Sequence, residues 1–180
     1  MTISSHELIA GLLQATHKNI AFAKSLQSLP YSVLIKRPAA NAWNIPECLE
    51  HLNIYGNYYL PEIEQAMAKS YTAGTETFKS GWLGNYFAQS MLPKDKPGKM
   101  KALKSMNPIH RTIDSRVIDT FIQQQYRLLE LLELSQHKNL NTIKIRISIA
   151  RFIKIRLGDT FRFLVNHNIR HIKQAGRILN

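Results

Sequence analysis

The chain has 180 residues, 44% of them hydrophobic and 20% charged, with a net charge of +12 and a single cysteine, Cys48. That is long enough for one domain with its own core and too apolar for a disordered chain, and no apolar run approaches the roughly 18–20 residues of a membrane-spanning helix. One cysteine excludes an internal disulfide; with no basic stretch leading into an apolar run across residues 1–7, the expectation is no secretory leader and a reducing, cytoplasmic setting.

Residues 3–28 read as a first helix, with Ser4 or Ser5 as N-cap and Ile9, Leu12, Leu13, Ile20 and Leu26 near helical spacing. A loop follows over 30–44. A second helix starts at Ile45-Pro46, where proline suits the first turn, and carries Leu49, Leu52, Tyr55, Tyr59, Ile63 and Met67 to about Ala68. Pro61 falls inside it and should kink or divide it. Residues 70–112, punctuated by glycine and proline, read as a long insertion with a short helix over Trp82–Met91. Within it Lys94 to Asn107 looks like a basic surface excursion, long enough to serve as a lid. A third helix runs from Asp114 to His137, capped by Asp114 or Ser115.

Residues 143–157 alternate isoleucine at odd positions with Lys, Arg or Ser at most even ones. Period two with β-branched residues predicts an extended connector. The fourth helix begins near Gly158–Thr160 and ends about Leu179, with Phe161, Leu164, Val165, Ile172 and Ala175 on its apolar face. The predicted architecture is all-α, a four-helix bundle in one domain over 1–180.

The charge is uneven. Residues 1–93 are balanced, whereas 94–116 hold seven basic and two acidic residues and 138–180 hold ten basic and one acidic. Such a C-terminal half suits a nucleic-acid or anionic-surface contact, or a rim that draws in an anionic substrate. Arg151, Lys154 and Arg162 are the candidates for that rim.

His167 and His171 are four residues apart, so on a helix they lie one turn apart on one face and can grip one divalent ion. The pair alone is weak evidence, since a core-facing histidine is more often merely hydrogen-bonded. His51, on the second predicted helix, is the third candidate; three imidazoles with an open position are the donor set of a catalytic ion rather than a closed structural one. Three imidazoles suit zinc, nickel, copper and iron alike. Glu47, Cys48 and Tyr55 share the His51 face. Glu47 reads either as support for His51 or as a first-turn acid favouring the helix dipole, and Cys48 as a small buried residue rather than a nucleophile. Trp43 reads as a staple between loop and bundle, and Trp82, Tyr86 and Phe87 as packing residues. His6, His17, His110 and His137 read as surface residues.

The segment Trp43-Asn44-Ile45-Pro46-Glu47-Cys48-Leu49-Glu50-His51-Leu52 resembles the W-S-x-x-E-x-L-x-H-L start of the second helix in the DinB/YfiT superfamily. His167-Asn168-Ile169-Arg170-His171-Ile172-Lys173-Gln174 is similar to that family's H-x-x-R-H-x-x-Q in its last helix, and Gly81-Trp82-Leu83-Gly84 and Lys99-Met100-Lys101 resemble one branch of it. The resemblance spans roughly residues 5–180. It implies a four-helix bundle whose His51, His167 and His171 bind a divalent metal, most often zinc or nickel, with a small-molecule substrate, a low-molecular-weight thiol as possible cofactor, and a homodimer. Relatives include thiol S-transferases and a thiol-dependent isomerase. Asn168 stands where relatives are often acidic, and Asn44 where Ser is usual. The implied function is a metal-dependent transfer of a thiol, or hydrolysis of a small molecule; the alternative is a non-enzymatic module whose basic half contacts nucleic acid or an anionic surface.

Overall fold

Asn44, Pro46 and Glu47 carry the strongest start signal in the chain, and a helix begins there. The computed structural model describes residues 1–93 and 102–179, with the backbone alone at Arg151. Asn44 Oδ1 accepts the Glu47 backbone N–H at 2.9 Å, and Glu47 Oε2 accepts the Asn44 N–H at 3.0 Å. This reciprocal cap satisfies two donors that the first turn cannot pair internally.

Among the described residues the chain is mostly helical, with two small ribbons: α1 (Ser5–Leu26), α2 (Tyr31–Leu34), α3 (Ile45–Ala68), α4 (Trp82–Ser90), α5 (Val117–Ser135) and α6 (Leu157–Leu179). Strand β1 (Thr2–Ser4) pairs antiparallel with β2 (Thr77–Lys79), and β3 (Lys144–Ile147) with β4 (Ala150–Arg156). Helices α1 and α3 each pack against both α5 and α6, and α4 packs against α6.

The buried interior forms two apolar clusters, one around Ile9, Tyr59, Leu128 and Phe161, the other around Leu26, Leu49, Phe121 and Ile172. Along α6 the buried hydrophobics of the first end at Val165 and those of the second begin at Ile172. His167 and His171 fall between them. The polar break in the interior is therefore placed by the helix that joins its two halves.

Several elements depart from the sequence expectation. The first helix starts at Ser5, because residues 2–4 are drawn into β1 by pairing with Thr77–Lys79; Ser4 is its N-cap, accepting from the Glu7 N–H at 3.5 Å. The loop over 30–44 contains the single turn α2. Pro61 does not divide α3, which runs unbroken to Ala68; a proline interrupts only one intrahelical bond, and the burial of Tyr59, Leu60 and Ile63 around it holds the helix together. Helix α5 is shorter than predicted at both ends, and Asp114 caps no helix: its Oδ1 accepts the Arg116 N–H at 2.8 Å. Of the basic excursion, residues 94–101 lie outside the described residues, and Lys104–Met106 form a 3₁₀ turn.

The extended connector is a β-hairpin. Ile145 pairs with Ile155, both buried, and a register irregularity falls between Arg146 and Ile147. The hairpin leans on α3, where Tyr59 Oη accepts the Ser148 N–H at 3.1 Å. Trp82 and Tyr86 are not packing residues: they stand 85% and 63% exposed on α4, while Phe87 is partly buried against the first cluster.

Gly158, in the first turn of α6, is required by close packing. A Cβ there would stand 2.5 Å from the ring of Phe78, which is fully buried on β2. Gly158→Ala is expected to destabilise the fold by about 1–3 kcal/mol through overpacking, measured as a lower urea midpoint at unchanged m-value.

Candidate metal centre

The helix α3 cap and the i,i+4 spacing on α6 place three imidazoles against one another. His51, His167 and His171 are each buried, and one ring nitrogen from each lies within 4.8 Å of the others. His51 Nε2 and His167 Nε2 are 3.1 Å apart. Tetrahedral zinc, with Zn–N of 2.0–2.1 Å, holds its ligand nitrogens about 3.3 Å from one another, so the cluster is already near that scale.

The outward nitrogens are tethered. His51 Nδ1–H donates to the Met106 carbonyl at 2.6 Å, and His171 Nδ1–H donates to Gln174 Oε1 at 2.9 Å. In a neutral ring, a donor at Nδ1 leaves Nε2 as a lone pair, and such tethers orient metal-ligating histidines. His167 Nδ1 is buried without a hydrogen-bond partner among the described residues. A set of three buried nitrogen donors arranged in this way can hold a divalent ion.

Burial sets the protonation state. It pushes His51 down to about 4 against the partial opposition of its bond to Met106. Burial, with the charges of His51 and Arg170 adding, pushes His171 down to about 3. His167 lies well below its usual value, chiefly from burial and then from the charges of His171, His51 and Arg170. All three are neutral bases near pH 7.

Aromatic rings wall the cluster. Trp43 lies 4.7 Å from His51 and 5.4 Å from His171 between ring centroids, and Tyr55 lies 4.5 Å from His167. Trp43 does more than staple the loop: its Nε1–H donates to Asn107 Oδ1 at 3.0 Å, joining that loop to the segment that presents Met106. Burial pushes the Tyr55 phenol up to about 12, so it stays protonated. A cleft of about 1380 Å³ reaches all three histidines and is also lined by Tyr86, Ile149, Arg170, Lys173 and Arg177.

The hydrogen bonds of Glu47 run to Arg37, Asn44 and His110 rather than to His51. Besides capping α3, Glu47 receives two hydrogen bonds from Arg37, both at 2.6 Å, and the His110 N–H at 2.7 Å. Burial would raise its carboxyl, but the Arg37 hydrogen bonds, with those from Asn44 and His110, outweigh it and hold the group below its usual value. Cys48 is fully buried, and burial with the Glu47 charge pushes its thiol up to about 12, which removes it as a nucleophile. Asn168 faces α5, donating to Gln125 Oε1 at 3.0 Å. His6, His17, His110 and His137 are exposed.

The expected basic rim is placed differently. Arg162 is buried and bonded to Asp159 at 3.0 Å, to Ser80 and to Asn85. The Asp159 carboxylate is itself fully buried, so Arg162 turned inward to neutralise it. The Arg151 side chain lies outside the described residues, and Lys154 is exposed on β4. The cations that line the cleft are Arg170, Lys173 and Arg177, on successive turns of α6 beside His171. Sequence reasoning missed them in this role, although the same spacing that marked the histidines placed them. It also missed Met106, whose carbonyl carries no signature.

A family model described as the DinB superfamily matches residues 15–175, a span that includes all three histidines. No curated protein and no solved structure matches the chain.

The buried imidazoles predict an acid-sensitive fold. Each has a folded-state pKa below its unfolded value near 6.5, so as pH falls the unfolded chain takes up protons first. In metal-free protein their contribution is intact above about pH 6.5 and is lost progressively toward pH 4. The urea midpoint is expected to fall across that window in wild type, and less steeply in His171→Gln; equal slopes would contradict the assignment of buried neutral rings.

Proposed function

This chain belongs to the DinB superfamily, and from that premise we propose a metal-dependent enzyme in which His51, His167 and His171 bind one divalent ion, zinc or nickel. The observation that carries the reading is the convergence of three neutral imidazoles whose outward nitrogens, at His51 and His171, are tied to Met106 and Gln174. A bound ion would act as a Lewis acid and lower the pKa of a water or thiol brought to it.

The rest of the work falls to the chain itself. Met106 and Gln174 keep two rings turned with Nε2 inward. Trp43 and Tyr55 limit the water that reaches the rings. Arg170, Lys173 and Arg177 hold the anionic end of a small substrate or thiol in the cleft, and its apolar walls take the remainder. Transfer of a low-molecular-weight thiol to an electrophile is the leading reaction, with hydrolysis of a small molecule as its neighbour. In the same reading, helices α1, α3, α5 and α6 form a four-helix bundle, residues 1–180 are one domain with 70–112 as its insertion, and the protein works as a homodimer.

The test is metal content per chain, measured on protein made without a metal-binding tag. Wild type is expected to hold about one ion and His167→Ala almost none, because two remaining imidazoles leave an incomplete donor set. Negligible metal in both, persisting after incubation with zinc or nickel, would overturn the proposal.

A further inference from the structure

The register of the β3–β4 hairpin sets like charges opposite one another. Lys144 lies across from Arg156, and Arg146 across from Lys154, while the intervening Ile145 and Ile155 face inward. Directly opposed like charges destabilise an antiparallel pair. Among the described residues, Arg146 has Glu62 at 4.0 Å, and no ion pair reaches Lys144, Lys154 or Arg156. Lys79, on β2 of the separate β1–β2 ribbon, lies next to Arg156, its carbonyl accepting from that guanidinium. The outer face of the ribbon thus keeps an unfavourable concentration of positive charge that an anionic surface would relieve.

Apolar side chains stand in solvent beside it. At the turn end of the hairpin Phe152 is 88% exposed and Ile149 54% exposed. On α4, which packs against β4, Trp82 and Tyr86 are one turn apart on one exposed face. Tyr86 and Ile149 both line the cleft that leads to the histidines. Exposed Trp, Tyr and Phe beside Lys and Arg are the composition of an interfacial anchor: the rings sit at headgroup depth and the cations meet anionic lipid. A nucleic-acid duplex would use the cations through its phosphates and leave four apolar side chains on two elements without a role.

We propose that the outer face of the β3–β4 ribbon and the exposed face of α4 dock this protein onto an anionic lipid bilayer, beside the opening of the histidine cleft. The docking needs no metal and stands apart from the reading of the histidines.

The test uses the full chain with vesicles of phosphatidylcholine alone or mixed with phosphatidylglycerol, followed by cosedimentation and tryptophan emission. The expected result is binding to the anionic vesicles only, weakened by salt, with a blue shift that is absent in Trp82→Tyr. Arg146→Glu combined with Lys154→Glu should weaken binding at least about tenfold. Tyr86→Ser combined with Phe152→Ser should weaken it as well, with an unchanged thermal melt showing that these exposed positions leave the fold intact. His167→Ala should bind vesicles as wild type does. Failure to sediment with anionic vesicles at low salt, binding indifferent to the charge reversal, or tighter binding to duplex DNA without the Trp82 shift would each overturn the proposal.

Discussion

Three imidazoles within 4.8 Å of one another, each less than a tenth exposed, can share an apolar interior only as neutral rings. A charge there would carry the full cost of leaving water, and a second would add repulsion. A neutral ring offers one donor and one acceptor, so its environment must match both. At His51 and His171 the donors are matched outward, to a backbone carbonyl and a side-chain amide. The lone pairs are left facing inward, where nothing else in the cluster can satisfy all of them. A polar break between two apolar clusters becomes, by that accounting, a donor set for a cation.

The matching depends on groups far from the rings. Met106 sits in a non-helical segment, and that segment is held by Glu47 through the His110 N–H and by Trp43 through Asn107. His110 has a φ of 59°, a left-handed backbone uncommon outside glycine, and its bond to Glu47 holds it there. The carboxylate that caps α3, and so sets the pitch at which His51 projects, also fixes the strand of chain bearing the His51 acceptor. A second buried acid does similar work on α6. Asp159 accepts from Ser80, Gly81 and Arg162, and Arg162 reaches on to Asn85, so that α4 is pinned over the first turns of the helix that carries the other two histidines. Buried ion pairs of this kind contribute little net stability; here they set geometry.

The outer surface follows a different economy. Side chains facing the interior of the β3–β4 ribbon are branched and apolar, and four of those facing out, Lys144, Arg146, Lys154 and Arg156, are cationic, at a cost in cross-strand repulsion that the hairpin recovers by burying Ile145, Ile147 and Ile155. On α6 the same chain presents histidines to the interior and Arg170, Lys173 and Arg177 to the cleft. Positive charge therefore lies both along the approach to the cluster and on the face beside it.

Capping and periodicity are local properties, and they made the four long helices readable: Asn44, Pro46 and Glu47 start α3, and apolar spacing outlines α1, α5 and α6. The His167–His171 pair was readable for the same reason. The alternation at 143–157 revealed extended backbone but not its partner, since its two-residue turn, Ser148-Ile149, contains neither Gly nor Asn to announce a hairpin. Nothing local joins His51 to His167 across 116 residues; the residues named it as the third candidate without bringing it to the pair. The packing of α3 against α6 decided that, as it decided that Arg162 turns inward to Asp159 while Arg170 and Lys173 line the cleft. Sequence determined which faces are apolar, because burial follows periodicity. Tertiary structure determined which polar groups meet, because a hydrogen bond or a ligand set is a distance of about 3 Å, and only the folded chain sets that.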